Sequence, residues 1–176
     1  MDTHSLRLMA HGLLLREWTS QDLAVMQELL DDPDVAYRTP LESPFDQAAA
    51  LRYLDSAHQA RHGNERIHLA ITTDGHQVLG EVLLNRATGS IGYIVGTAHR
   101  GQRLAARALR AMTEYAHTTI ALQRVILEIE PDNHPSIAVA QSAGFHLADS
   151  APETVTDKGR TYELLTWEHR LTADRG

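Results

Sequence analysis

Between His99 and Leu109 the chain reads HRGQRLAARAL, an Arg-Gly-Gln-Arg cluster set directly after an apolar stretch and directly before an alanine-rich helical pattern. A helix start carries free N–H groups and the positive end of the dipole, so extra cations there are unfavourable for the isolated helix. Something negative is expected at that spot. Strand, glycine turn, helix is a general arrangement for holding an anion on backbone N–H groups. Gly101 lets the backbone bend sharply and approach a ligand, and Arg100 and Arg103 can neutralise phosphate oxygens. The spacing alone also admits a solvated basic helix start with no ligand. It is neither G-x-x-x-x-G-K-[ST] nor G-x-G-x-x-G, so nothing here indicates NTP hydrolysis or nicotinamide chemistry.

The elements that must position this turn alternate along the chain. LLLREW (Leu13–Trp18) reads as a first strand. Thr19 then caps a helix with Leu23, Met26, Leu29 and Leu30 at helical spacing, and Pro33 ends it. A second helix is expected with Ser43 as cap, Pro44 at its first position and Gly63 as stop. RIHLAITT and QVLGEVLLNR read as strands joined at Asp74-Gly75, and a turn at Thr88-Gly89 leads into SIGYIVG. A long helix follows from about Leu104 to Ile120, with Leu104, Ala108, Leu109, Met112 and Ala116 on one stripe. RVILEIE is a strand and HPSIAVAQSAGF a short helix stopped at Gly144. FHLADS and TYELLTWEHRL read as two strands around an Asp157/Gly159 turn. The order predicts an α/β or α+β sheet covered on both faces.

Composition sets the outer limits. The 176 residues fit one domain, 1–176, able to bury a real core, and 43% hydrophobic and 22% charged residues are ordinary for a globular protein. Sixteen Lys+Arg against 23 Asp+Glu gives a formal net charge of −7, which argues against nonspecific nucleic-acid binding and favours a cationic substrate. With no Cys there is no disulfide frame, thiolate nucleophile or Cys-based zinc site. MDTHSLRLMAHG lacks the pattern of a signal peptide and no apolar run is long enough to span a bilayer, so no membrane association and a cytoplasmic location are expected. His58 and His62 stand at i and i+4 on a helix, a spacing that can bind Zn²⁺, but no third ligand is fixed by spacing and no metal is expected.

SIGYIVGTAHRGQRLAARAL, followed some distance on by EPDNHPSIAVAQSAGF, closely resembles the Gcn5-related N-acetyltransferases, in particular the branch that holds the ribosomal-protein acetyltransferases RimJ and RimL and many small-molecule relatives. The family's phosphate motif, [QR]-x-x-G-x-[GA], corresponds to Arg100-Gly101-Gln102-Arg103-Leu104-Ala105, with Arg103 where glycine is usual. Asn133, Ser136 and Gly144-Phe145 match the family's N…S…GF, and LLLREWTSQDL resembles the branch's opening. The resemblance implies a mixed, mostly antiparallel central sheet with helices on both faces, and transfer of acetyl from acetyl-CoA to a primary amine of a small molecule or protein N-terminus. It also admits a homodimer.

Carried over residue by residue, the resemblance implies that the strand ending in Ile94, Val95 and Gly96 offers backbone groups to the pantetheine arm. An N–H near Val95 or Gly96 would polarise the thioester carbonyl. The N–H groups of Gly101, Gln102, Arg103, Leu104, Ala105 and Ala106 would hold the pyrophosphate with help from Arg100. Asn133 would bind the pantetheine amides, and Ser136 would lie near the sulfur and protonate the departing thiolate. A tyrosine fills that last role in many relatives, and the sequence places none close by. At position 103 the arginine either crowds the phosphates or, opening the helix, reaches one with its guanidinium.

An ammonium must lose a proton before it attacks, and Glu or His acting through water is the usual base. Glu81, amid apolar neighbours in LGEVLL, reads either as a carboxylate of raised pKa or as a solvent-facing strand residue. Glu128 and Glu130 alternate with Val125, Leu127 and Ile129 and share the opposite face; Glu130, nearer Asn133, is the better candidate of the two. Tyr37 and Trp18 either line an acceptor pocket or pack. Without Cys, direct transfer is expected rather than an acyl-enzyme. A CoA-binding module without transfer activity, and a nucleotide-binding protein using the same basic turn, are the other readings.

Overall fold

The computed structural model describes residues 4–172. The chain runs β1 (Arg7–Ala10), β2 (Leu13–Glu17), α1 (Leu23–Leu30), α2 (Pro33–Arg38), α3 (Gln47–His62), β3 (Arg66–Thr72), β4 (Gly80–Asn85), β5 (Ile91–Val95), α4 (Leu104–Thr118), β6 (Arg124–Ile129), α5 (His134–Ser142), β7 (His146–Leu147), β8 (Glu153–Asp157) and β9 (Arg160–Arg170). The expectations that fall on residues 1–3 and 173–176 lie outside the described residues.

Two antiparallel sheets carry the fold, β1-β2-β3-β4-β5 and β6-β9-β7 with β8 on β9. They are joined by one parallel bridge, Ser90 to Ile126, where the Ile126 N–H donates to the Gly89 carbonyl at 2.9 Å. Beyond it β5 and β6 diverge and leave a slot. Alternation along the strands sends one set of side chains to each face. Leu69, Ile71, Val82, Leu84, Ile91, Val125 and Leu127 meet Leu104, Leu109 and Met112 of α4 and Ala140 of α5. On the opposite face Ala70 packs with Trp18, Met26 of α1, Phe45 and Leu54 of α3. Each fully buried Leu or Ile contributes about 1.5–3 kcal/mol, so the two layers lock the slot between them.

Several local expectations are corrected. A hairpin strand, β1, precedes Leu13; its turn at His11 and Gly12 has both residues at positive φ (51° and 71°), the geometry of a two-residue hairpin loop. Pro33 does not end a helix region; it opens α2, where the Asp32 carboxylate accepts from the N–H groups of Asp34 and Val35. Ser43 and Pro44 lie before α3, which Asp46 caps by accepting the Ala49 N–H at 2.8 Å. The Asp157/Gly159 turn joins β8 to β9, while FHLADS contributes only the two residues of β7.

Candidate active site

The basic turn is an uncapped helix start. No side chain caps α4, and its first internal bond runs from the Arg107 N–H to the Arg103 carbonyl at 3.0 Å, so the N–H groups of Leu104, Ala105 and Ala106 are directed out of the helix. Gly101 has φ 95°, and a Cβ there would meet nothing within 4 Å, so its backbone is open to a ligand. Arg103 stands one residue before the helix rather than in it, in the left-handed region at φ 56° and ψ 28°. That explains why glycine suits the position, since a side chain there costs about 1–2 kcal/mol. Arg107 braces the turn by donating to the carbonyls of Gln102, His11 and Gly12. Arg100 lies 3.8 Å from Asp34 across the opening, both well exposed.

The register of β5 decides which backbone groups face the slot. The Asn85 N–H donates to the Ser90 carbonyl and the Gly96 N–H to the Leu79 carbonyl, and between them Gly92 and Ile94 stand opposite Leu83 and Glu81. In an antiparallel pair such positions bond inward, so the N–H and C=O groups of Ile91, Tyr93 and Val95 point away from β4 into the slot. Of the two candidate N–H groups, Gly96's is already bonded; Val95's is the one directed at the slot.

One groove of about 750 Å³ joins the slot to the helix start. Ile94, Val95, Arg100, Gly101, Arg103, Leu104, Ala105, Ala106, Asn133 and Ser136 line it; Gly96 and Gln102 do not. Its other wall is α2, through Asp34, Val35 and Arg38. Asn133 caps α5, its Oδ1 accepting the Ser136 N–H at 3.4 Å, which leaves the NH₂ group of the amide as donor. Tyr93, which the sequence reading overlooked, also lines the groove, with its hydroxyl 3.4 Å from the Ser136 carbonyl. Burial pushes that hydroxyl above the ordinary tyrosine range, against a smaller lowering by the Ser136 contact, so it stays a proton donor. The signal was available: Tyr93 shares its face of β5 with Val95.

The carboxylates sort differently from expectation. Glu130 is buried and clamped, accepting from Arg160 at 2.5 and 3.2 Å and from Arg38 at 2.9 Å. The hydrogen bond from Arg160, with Arg38 adding to it, holds its carboxyl below the usual range against the raising effect of burial. A carboxylate so engaged is a poor proton acceptor, which weighs against Glu130 as the better base candidate of the Glu128 and Glu130 pair. Glu81 is 1% exposed, neither solvent-facing nor lining the groove; it accepts from Trp18 Nε1 at 2.7 Å and the Tyr53 hydroxyl at 2.5 Å. Glu128 is exposed, and desolvation with the neighbouring charge of Glu153 pushes its carboxyl above the usual range.

His58 Nε2 lies 2.9 Å from the Trp18 carbonyl and His62 Nδ1 3.1 Å from the His58 carbonyl. Among the described residues no group of three or more His, Cys, Asp or Glu is arranged to hold a metal ion, and no helix is long and apolar enough to cross a membrane. Trp18 packs in the core, while Tyr37 lines a second cavity behind α2.

A sheet split beside an uncapped helix start is what the resemblance to the N-acetyltransferases implies, and comparison with known proteins agrees. The acetyltransferase (GNAT) domain family matches residues 12–146, and the chain belongs to that family. It is 24% identical over 164 residues to N-acetyltransferase p20 of Bacillus licheniformis, covering 89% of this chain and 92% of that one. The fold is similar to RimJ of Mycobacterium smegmatis in complex with CoA-disulfide (TM-score 0.78, 20% identity, 94% of this chain and 86% of that one). It is also similar to RimL, a ribosomal L7/L12 α-N-protein acetyltransferase in complex with coenzyme A (TM-score 0.80, 18% identity, 96% and 100%). As a chain of that family with N-acetyltransferase relatives, the protein is an acetyl-CoA-dependent acyltransferase.

Proposed function

We propose that this protein transfers the acetyl group directly to the primary amine of a protein N-terminus or small molecule. Acetyl-CoA, when bound, supplies the thioester. The observation that carries the reading is the continuity of the unpaired edge of β5 with the uncapped start of α4 in one groove. The N–H groups from Gly101 to Ala106, with Arg100 and Arg103, are suited to the diphosphate. The Asn133 amide is suited to the pantetheine arm. The Val95 N–H donates where negative charge grows on the carbonyl oxygen, and a preoriented donor there favours the transition state over the ground state. Tyr93 or Ser136 returns a proton to the leaving sulfur. Of Glu81, Glu128 and Glu130, Glu128 alone is exposed and has a raised carboxyl pKa, which supports it as the acceptor of the amine's proton through water; it stands on β6, outside the lining of the groove.

Two observations support the acceptor class. The net charge of −7 favours a cation. The likeness to RimL, described as a ribosomal L7/L12 α-N-protein acetyltransferase, supports a peptide N-terminus. Thiol release from acetyl-CoA across a panel of N-terminal peptides, polyamines and amino acids tests the reading. Turnover with one acceptor class is expected; coenzyme binding with no thiol release from any amine would leave a binding module instead.

A further inference from the structure

A cradle for an anion needs its N–H groups turned toward the ligand and its carbonyls turned elsewhere. In the basic turn Arg103 sits in the left-handed region at φ 56°, and a side chain persists there only where its surroundings hold it. The Gln102 carbonyl and the Arg103 N–H belong to one peptide, and in a trans peptide the two point in opposite directions. Whatever holds that carbonyl therefore aims that N–H. Its partner is the Arg107 guanidinium, whose Nη1 donates to it at 3.2 Å. Gln102 stays out of the groove lining, while Arg103 belongs to it.

The same guanidinium is anchored on its other side by the turn of the β1–β2 hairpin. Nε donates to the His11 carbonyl at 2.9 Å and Nη2 to the Gly12 carbonyl at 3.2 Å, so each nitrogen of the fork holds one backbone carbonyl. The approach is close: a Cβ on Gly12 would come within 2.9 Å of Nη2. Further along α4, His11 Nε2 lies 2.7 Å from Glu114 Oε1. Arg107 and Glu114 are two turns apart on one face of α4, and the hairpin tip lies along that face. Leu8 and Ala10 of β1 pack against the core and fix the hairpin in place. None of His11, Gly12 and Glu114 lines the groove.

We infer that the β1–β2 hairpin is a working part of the coenzyme site: through Arg107, a positioning residue, it fixes the peptide joining Gln102 to Arg103 and so the direction in which the Arg103 N–H meets the diphosphate. This rests on the coenzyme reading of the groove. Arg107 lines the groove but acts through the turn, its fork held by three carbonyls, while Arg100 and Arg103 are the cations left to meet phosphate. A segment that touches no ligand thus sets the affinity for one.

A double-mutant cycle read by calorimetric titration of CoA tests this. Arg107→Met keeps the apolar stem and removes the fork, and should weaken CoA binding about tenfold. Gly12→Ala leaves every groove-lining residue chemically intact but displaces the fork from the hairpin side, and should weaken CoA binding about threefold to tenfold. In the Arg107→Met background Gly12→Ala should change CoA affinity no further, because the link it disturbs is already gone. A purely structural role would lower the urea midpoint of each variant and leave the CoA affinity of the folded protein unchanged, which overturns the inference. Weakening by Arg107→Met with wild-type affinity in Gly12→Ala, or additive losses in the double variant, overturns it too and makes Arg107 a direct phosphate contact; either result leaves the coenzyme site standing. Absence of CoA binding to the wild-type chain overturns both.

Discussion

The hydroxyl of Tyr93 on β5 reaches the backbone carbonyl of Ser136 on α5, 3.4 Å away, so the strand that lines the slot touches the helix that closes it. Removing only that oxygen asks whether it delivers the proton to sulfur. Tyr93→Phe should lower kcat about 10- to 100-fold with little change in the KM for acetyl-CoA. Because burial raises the Tyr93 pKa, the donor form persists past the usual tyrosine range. Wild-type kcat should therefore show no alkaline loss from this group below about pH 10. Steady-state kinetics across pH gives both answers.

Glu128 carries the opposite expectation. Its carboxyl is raised, and only the ionised form accepts a proton, so kcat should fall on acidification at a pH above the ordinary glutamate range. Glu128→Gln should remove that acid limb and lower kcat at neutral pH about 100-fold. A Gln variant with the wild-type profile would falsify the assignment.

Glu130 is a matter of stability. Glu130→Gln leaves the guanidiniums of Arg38 and Arg160 without their shared carboxylate and should cost about 1–2 kcal/mol in urea unfolding at pH 7, the partly solvated arginines keeping it from being larger. The sign with pH is fixed by the depressed carboxyl. The contribution is present above the unfolded carboxyl pKa, near about 4.3, and is lost as pH falls through the lower folded value. Wild-type and variant curves should converge in acid.

Position 103 separates folding from binding. Arg103→Gly relieves a left-handed arginine and should raise unfolding free energy by about 0.5–1 kcal/mol. If the guanidinium meets a phosphate, the same variant binds CoA more weakly. A denaturation curve and a titration on one sample measure the two effects.

Much of this architecture was legible because its signals are local. Periodicity and glycine stops located α4, β5, β6 and the end of α5, and the basic turn announced the groove. The misplacements have physical causes. β1 is four residues long with no alternation to mark it, and Pro33 serves as either a helix stop or a helix start until Asp32 is seen to cap it. The surroundings of the carboxylates were not legible because Glu130 and Glu128 differ only in what comes to them from elsewhere: Arg38 and Arg160 arrive from positions 92 residues before and 30 residues after Glu130. No pattern along one strand contains that.

Among the described residues the Ser90–Ile126 bridge is the single point at which the backbones of the two sheets are stitched, like two leaves of a book at the spine. A Cβ on Gly89 would come within 2.6 Å of the Arg124 carbonyl, and the residue already sits at φ 75°. A methyl group added there would wedge the leaves apart at the binding edge. The seam from which the opening spreads thus tolerates nothing larger than a hydrogen atom at position 89.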